Sequence, residues 1–257
     1  MKTKNQIVKN WLPRYTGTPL KKFGDYIILV NFSHYLELFA QWNNVDIKGA
    51  DRSMPSATAD NITIINFGMG SPNAGTIIDL LTAVKPKAAI FLGKCGGIKS
   101  GKNKVGDLIL PIAAIRGEGT SDDYMPSEVP ALPAFALQKA ISTTIQEYNQ
   151  DYWTGTIYTT NKRVWEHRID FKEYLKTLRP IGIDMETATL FIAGFKNQIP
   201  MGALLLVSDM PMFPEGVKTE KGDVHTTEEH GDLHLKIGID SLKQLMNRAE
   251  TIKHLKF

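Results

Sequence analysis

Carboxylates follow two of the short apolar runs in this sequence. Asp184-Met185-Glu186 comes directly after residues 180–183, and Ser208-Asp209 comes directly after residues 203–207. A carboxyl group can serve as a general acid, and a second one can accept hydrogen bonds from hydroxyl groups or oppose a developing positive charge. The two motifs therefore indicate acid chemistry on a substrate that carries hydroxyl groups.

Glycine-rich turns follow two other apolar runs. Gly68-Met69-Gly70 ends the run at residues 62–67, and Gly93-Lys94-Cys95-Gly96-Gly97 ends the run at residues 88–92. Backbone N–H groups in such turns can bind an anion or a polar sugar, and Lys94 adds a positive charge. A tight strand-to-helix connection also needs glycine, so each turn alone has a purely structural interpretation. The two carboxylate motifs and the two glycine turns together make four features at strand ends, and their combination favours a ligand site.

The apolar runs that precede these motifs predict the strands that position them. They are rich in β-branched residues and nearly continuous rather than alternating, which is typical of strands covered on both faces. They lie at residues 26–30, 62–67, 88–92, 108–110, 155–159, 180–183 and 203–207.

Helical patterns lie between these strands. Ser71-Pro72 predicts a helix start, and Ala74, Ile77 and Ile78 share one face of the helix that follows. Helices are also predicted at residues 132–148 and 186–196 and along the apolar stripe at residues 235–246. Strands that alternate with helices indicate an α/β domain on a largely parallel or mixed sheet. Ligands of such sheets bind at the carboxyl ends of the strands.

The composition excludes several classes of protein. Of 257 residues 42% are hydrophobic, which supports a sizeable core, and a net charge of +3 is too small for a dedicated nucleic-acid binder. The longest apolar run is far shorter than the about 18 residues of a membrane span. The single cysteine, Cys95, cannot form an internal disulfide, and no signal peptide is visible, so we expect a cytoplasmic protein with no membrane partner.

Neither a cofactor nor a metal ion is expected. Gly68-x-Gly70 begins a dinucleotide-binding fingerprint, but Asn73 stands where its third glycine belongs. The histidines at 225, 230 and 234 lack the glutamate of a helical metalloprotease motif, and a solvated loop before the last helix is the favoured interpretation.

The motifs together resemble the purine nucleoside phosphorylase/uridine phosphorylase family. The resemblance rests on the order and spacing of four motifs, and covers roughly residues 26–246: Gly68-Met69-Gly70, residues 93–97 with Val105-Gly106-Asp107, Asp184-Met185-Glu186, and Val207-Ser208-Asp209. It implies one catalytic domain over residues 1–257, with a mixed central sheet flanked by helices and no separate regulatory domain. It also implies a homo-oligomer, by family expectation a hexamer.

Within this family the chain is most similar to the members that hydrolyse AMP. The closer matches lie at residues 66–74, 93–97, 154–166 and 234–239. The resemblance implies cleavage of the N-glycosidic bond by water, giving adenine and ribose 5-phosphate. It makes Asp209 the general acid toward adenine N7 and Glu186 the acceptor from the ribose hydroxyls. Met185 is expected to contact the sugar. The remaining candidates from these motifs are Ser208, Gly68, Met69, Gly70, Lys94 and Gly96.

Three further residues are candidates for contacts with the nucleotide. The resemblance places an aromatic partner for the base after Thr160, and Trp165 is the candidate. Arg163 and Arg116 are candidates for the 5′-phosphate, because a phosphate dianion needs cations.

Two other functions remain open on the sequence. One is a phosphate-dependent nucleoside phosphorylase and the other is a nucleotide-binding protein without catalysis. Phe91 stands where the phosphorylases carry an arginine that helps hold phosphate, and Lys94 replaces a small polar residue. These departures favour hydrolysis, and the presence of Asp209 and Glu186 argues against a protein that only binds.

Overall fold

A mixed eight-stranded sheet forms the centre of the protein in the computed structural model, which describes residues 1–98 and 102–248. The strands are β1 (Tyr26–Val30), β2 (Ser56–Ala59), β3 (Ile62–Asn66), β4 (Ala88–Gly97), β5 (Leu108–Gly117), β6 (Tyr152–Thr160), β7 (Gly182–Asp184) and β8 (Met201–Asp209). All seven predicted strands are confirmed. Strands β4, β5, β6 and β8 are longer than their apolar runs.

Five of the strands, β4 to β8, form a closed ring. The order is β2-β3-β1-β4-β7-β6-β5-β8, and β4 also pairs with β8. Strand β4 pairs in parallel with β1 over its first part and with β8 as far as Gly96, and Gly96 and Gly97 at its end also pair with β7. The ends of β4, β7 and β8 are thereby brought next to one another.

Helices cover both faces of the sheet. They are α1 (Lys4–Thr16), α2 (Ser33–Asn43), α3 (Ser71–Leu81), α4 (Phe135–Glu147), α5 (Ile169–Leu178), α6 (Thr187–Asn197) and α7 (Glu220–Arg248). One buried cluster joins α1, α3 and α6 to the sheet, and a second joins α2, α4 and α7 to its other face. Continuous apolar strands are needed for this arrangement, because both faces of the sheet are buried.

The helix predictions succeed where local signals are strong. Helix α3 begins at Ser71 and has Pro72 in its first turn, as predicted. The helices predicted at 132–148 and 186–196 are confirmed with shifted ends as α4 and α6. The predicted loop around residues 225–234 is wrong, because α7 is already helical from Glu220. Helix α7 buries His234, which forms a hydrogen bond with Tyr35 of α2.

The single-domain α/β prediction with a mixed sheet is confirmed for the described residues. The predicted domain also includes residues 99–101 and 249–257, which lie outside them. Helices α1, α2 and α5 and strand β2 were not predicted. Within residues 1–98 and 102–248, no helix has the length and apolar character that crossing a membrane requires.

Candidate active site

A cavity of about 280 Å³ opens where β1, β4, β6, β7 and β8 end. Nine of the twelve candidate residues line it: Asp209, Glu186, Met185, Ser208, Met69, Lys94, Gly96, Trp165 and Arg163. Strands that are distant in sequence therefore deliver their end residues to one place, as the rule for α/β sheets predicts.

Glu186 lies at the N-terminus of α6, and only 2% of it is exposed. Its Oε1 accepts a hydrogen bond of 2.7 Å from the Gly70 N–H, and its Oε2 accepts one of 3.3 Å from the Met185 N–H. Burial, reinforced by the nearby Asp184 carboxylate, raises the pKa of Glu186. The carboxyl group is thus fixed in orientation and costly to ionise.

The glycine turn acts on the site through its backbone. Gly68 has φ +78° and Gly70 has φ +96°, a region that favours glycine. This conformation turns the chain from β3 into α3 and aims the Gly70 N–H at Glu186. Neither glycine lines the cavity, whereas Met69 between them does. The acceptor for the Gly70 N–H of this turn is therefore a side chain of the protein, the carboxyl group of Glu186.

Asp184 supports the same helix start from inside the protein. Its Oδ1 accepts a hydrogen bond of 2.7 Å from the Thr159 hydroxyl, and its Oδ2 accepts one of 2.8 Å from the Thr187 N–H. Burial raises the pKa of Asp184 although these hydrogen bonds lower it. Asp184 therefore joins β6 to α6 and places a second carboxyl group behind Glu186.

Asp209 ends β8 on the other side of the cavity. The Ser208 hydroxyl donates to its Oδ1 over 2.7 Å. Burial raises the pKa of Asp209, while the Ser208 hydrogen bond and the charges of Lys218 and Arg163 lower it. A carboxyl group that keeps its proton above the usual pH range can donate that proton to a leaving group.

Aromatic and sulfur-containing side chains line the cavity between these carboxyl groups. Trp165 is 4% exposed and packs edge-on against Phe171, with 5.3 Å between ring centroids. Met185 is positioned through its backbone, because the Ser71 hydroxyl donates to its carbonyl oxygen over 2.5 Å. These surfaces can contact a flat base and a sugar ring.

The two candidate arginines lie in different environments. Arg163 lines the cavity, and its side chain is 52% exposed with an ion pair of 3.3 Å to Glu166. Arg116 is absent from the cavity wall, and its side chain is only 8% exposed.

Arg116 is occupied by its own loop, which corrects its predicted role in phosphate binding. Its guanidinium donates to the side chains of Ser121 and Asp122 and to the carbonyl oxygens of Met125, Pro126 and Val129. These five hydrogen bonds use the donors of the group, so Arg116 organises the segment after β5 instead of reaching the substrate.

Several lining residues are not marked by the sequence motifs, and Asn31, Phe32, Lys218 and Asp223 are among them. Asn31 and Phe32 follow β1 directly, so the strand-end rule that located the other motifs could have found them. Lys218 and Asp223 lie between β8 and the first turns of α7. No local pattern marks them, since their place at the cavity depends on how α7 packs.

Within residues 1–98 and 102–248, no group of three or more His, Cys, Asp or Glu side chains could hold a metal ion. His234 in particular is internal, and its two ring nitrogens bond to Tyr35 and to the carbonyl oxygen of Leu204.

Comparison with known proteins agrees with this geometry. Residues 25–237 match the sequence profile of the phosphorylase superfamily. The chain belongs to the phosphorylase superfamily. The matched residues include all eight strands and all the residues that line the cavity.

The relatives of this chain include AMP nucleosidases and a purine nucleoside phosphorylase. The structure of an AMP nucleosidase from Bacteroides thetaiotaomicron is 56% identical and has a TM-score of 0.85, covering 96% of this chain and 100% of that one. The AMP nucleosidase of Escherichia coli strain K12 is 30% identical over 93% of this chain, which spans 58% of that relative's length. A Toxoplasma gondii purine nucleoside phosphorylase shares the fold, with a TM-score of 0.79 at 20% identity.

Proposed function

We propose that this protein hydrolyses the N-glycosidic bond of AMP to give adenine and ribose 5-phosphate. The observation that carries the proposal is that one cavity is lined by Asp209, whose pKa is raised by burial, and by Glu186, whose carboxyl group is held in a fixed orientation. The names of the relatives at 56% and 30% identity support AMP as the substrate.

Asp209 acts as the general acid in this proposal. Loss of adenine needs a proton on the base, because the leaving group otherwise carries the electrons of the broken bond as a full negative charge. The raised pKa of Asp209 keeps a proton available for adenine N7. The Ser208 hydroxyl then stabilises the carboxylate that remains, since it already donates to Oδ1.

Glu186 acts on the sugar. Its orientation is set by the Gly70 and Met185 N–H groups, so its oxygens can accept hydrogen bonds from the ribose hydroxyls at fixed positions. As the bond to adenine breaks, the ribosyl group becomes positively charged, and a nearby carboxylate stabilises that charge more than it stabilises the neutral substrate. Met185 contacts the sugar and Trp165 the base.

Arg163 is a candidate partner for the 5′-phosphate. It is exposed at the mouth of the cavity, where a charged group of the substrate can remain partly in water. Phe91 supports hydrolysis over phosphorolysis, because it is fully buried in the core and supplies no cation for a nucleophilic phosphate.

The assay that tests this function follows free base and sugar product from AMP, adenosine and IMP, with and without inorganic phosphate. We expect AMP to exceed adenosine by about 100-fold in kcat/KM, equivalent to about 3 kcal/mol, because binding of the remote phosphate is used to orient the ribose. Ribose 5-phosphate should form without any inorganic phosphate in the assay.

Other results would assign another function. A sugar product phosphorylated at C1 in the presence of phosphate identifies a phosphorylase. Binding of AMP without any release of adenine identifies a protein that only binds nucleotides. Equal kcat/KM for adenosine and AMP contradicts a nucleotide substrate.

We also propose that residues 1–257 form one catalytic domain that works as a homo-oligomer, a hexamer, in the cytoplasm. Exposed apolar side chains on α5 and in the segment before it support association with another copy: Val164, Ile169 and Tyr174 are 74%, 77% and 50% exposed. The single, buried cysteine is compatible with a reducing compartment.

A further inference from the structure

Two lysines converge on one carboxylate oxygen in the cavity wall. Lys94 Nζ lies 2.7 Å from Asp223 Oδ1, and Lys218 Nζ lies 3.0 Å from the same oxygen. Lys94 comes from β4, whereas Asp223 belongs to the first turn of α7 and Lys218 precedes that helix. Two ammonium groups that donate to one oxygen are arranged as a site for an oxyanion.

Lys94 is unusually buried for a lysine. Its side chain is 9% exposed, whereas the lysine of a surface pair such as Lys176 with Glu173 is 60% exposed. Burial lowers the pKa of Lys94 even though Asp223 raises it. A charge that is costly to bury is retained in proteins when an anion or a function requires it.

Both lysines are also held by groups other than Asp223. The Lys94 ammonium donates to the Thr227 hydroxyl over 2.6 Å and lies 4.5 Å from the centre of the Phe32 ring. The Lys218 ammonium donates to the Ser208 hydroxyl over 3.2 Å. The two cations therefore keep their positions if the Asp223 carboxylate leaves.

We propose that Lys94 and Lys218 bind a phosphate group and that Asp223 is an internal competitor which occupies their site when no phosphate is bound. The inference rests on the proposed function for the class of anion. Charge supports it, because the two lysines without Asp223 carry two positive charges, which match a phosphate dianion. The phosphate is either the 5′-phosphate of the nucleotide or free inorganic phosphate.

A ligand that must displace an internal group binds with an apparent affinity reduced by the fraction of sites that are open. Asp223→Asn keeps the size of the side chain but removes its charge, which weakens the competitor. The variant should therefore bind phosphate more tightly than the unmodified protein. Lys218→Met and Lys94→Met keep much of the aliphatic stem and remove one cation each, so they should bind phosphate more weakly.

The test is calorimetric titration of the full-length protein and the three variants with inorganic phosphate, ribose 5-phosphate and ribose. Asp25→Asn is the matched control, because Asp25 forms a surface ion pair of 2.8 Å with Lys87 away from the cavity. We expect Asp223→Asn to lower Kd about fivefold or more and the lysine variants to raise it by at least a similar factor. The control should match the unmodified protein.

The ligands distinguish the two sources of phosphate. Tighter binding of ribose 5-phosphate alone assigns the site to the nucleotide, and tighter binding of inorganic phosphate alone assigns it to free phosphate. An unchanged or weaker affinity of Asp223→Asn for both ligands overturns the proposal. If Asp223→Asn does not fold, unchanged phosphate affinity in Lys218→Met overturns it. Binding is measured without turnover, so failure of this proposal and failure to cleave AMP are separate results.

Discussion

At the scale of single residues, burial decides which carboxyl groups can do chemistry. Asp209 and Glu186 have raised pKa values because they lie in the cavity wall, and burial is the largest cause for both. Asp170 carries the same carboxyl group on the surface, where hydrogen bonding to Arg168 lowers its pKa. An exposed carboxylate of that kind cannot hold a proton for a leaving group at neutral pH.

Replacing Asp209 tests its role as the acid. Asp209→Asn keeps the shape of the side chain but cannot deliver a proton, so kcat for AMP should fall by about 100-fold or more. Steady-state kinetics and AMP binding should be measured together, and Kd should change little. Asp170→Asn is the control and should retain full activity. A kcat within about threefold of that of the unmodified enzyme would exclude this role, because a general acid contributes about 100-fold or more.

At the scale of elements, α7 is tied to the sheet by a buried polar chain. The His234 Nε2 lies 3.0 Å from the carbonyl oxygen of Leu204, which can only accept, so Nε2 carries the proton. The Nδ1 therefore accepts from the Tyr35 hydroxyl, 2.8 Å away. Burial lowers the pKa of His234 to about 4, so the ring is neutral at physiological pH. This chain connects α2, α7 and β8.

Removing one hydroxyl from this chain should weaken the whole packing layer. Tyr35→Phe leaves the buried His234 Nδ1 without its donor, so the free energy of unfolding should fall by about 1–3 kcal/mol. Urea unfolding at pH 7.5 measures this. Tyr174→Phe, at a side chain that is half exposed, is the control and should change stability by no more than about 0.5 kcal/mol. Equal effects of the two changes would contradict the proposed donor role.

At the scale of the whole molecule, the active site lowers the stability of the fold. Asp184 and Glu186 are both buried, and the pKa of each is raised because ionisation is unfavourable there. The folded protein therefore binds protons more tightly at these groups than the unfolded chain does. Stability from these groups is present at low pH and is lost as the pH rises through their raised pKa values.

Glu186→Gln removes one of these ionisations. The variant should gain stability relative to the unmodified protein as the pH rises, on the order of 1 kcal/mol by pH 8, because one pKa unit corresponds to about 1.4 kcal/mol. Urea unfolding at pH 5 and pH 8 gives the comparison. Glu173→Gln, on an exposed face of α5, is the control. Its free energy of unfolding should differ from that of the unmodified protein by a similar amount at pH 5 and at pH 8. A Glu186→Gln variant that loses relative stability between pH 5 and pH 8 would refute the assigned cause.

The strands and their chemically active ends could be predicted from sequence because the signals are local. A continuous apolar run predicts a strand buried on both faces, and the residue after it must leave the sheet at its edge. Asp209, Glu186 and Met185 were located in this way, and all three line the cavity. The start of α3 was predictable for the same reason, since Ser71 and Pro72 act within one turn.

Contacts between residues far apart in sequence were decided only by the tertiary structure. Arg116 lies at the end of β5 and Arg163 follows the neighbouring strand β6, yet Arg116 is enclosed by its own loop and Arg163 lies in the cavity wall. Lys94 meets Asp223 across 129 positions of sequence. Such a contact exists because β4 pairs with β8 and α7 packs across them. No property of the residues within one strand or one helical turn encodes that pairing.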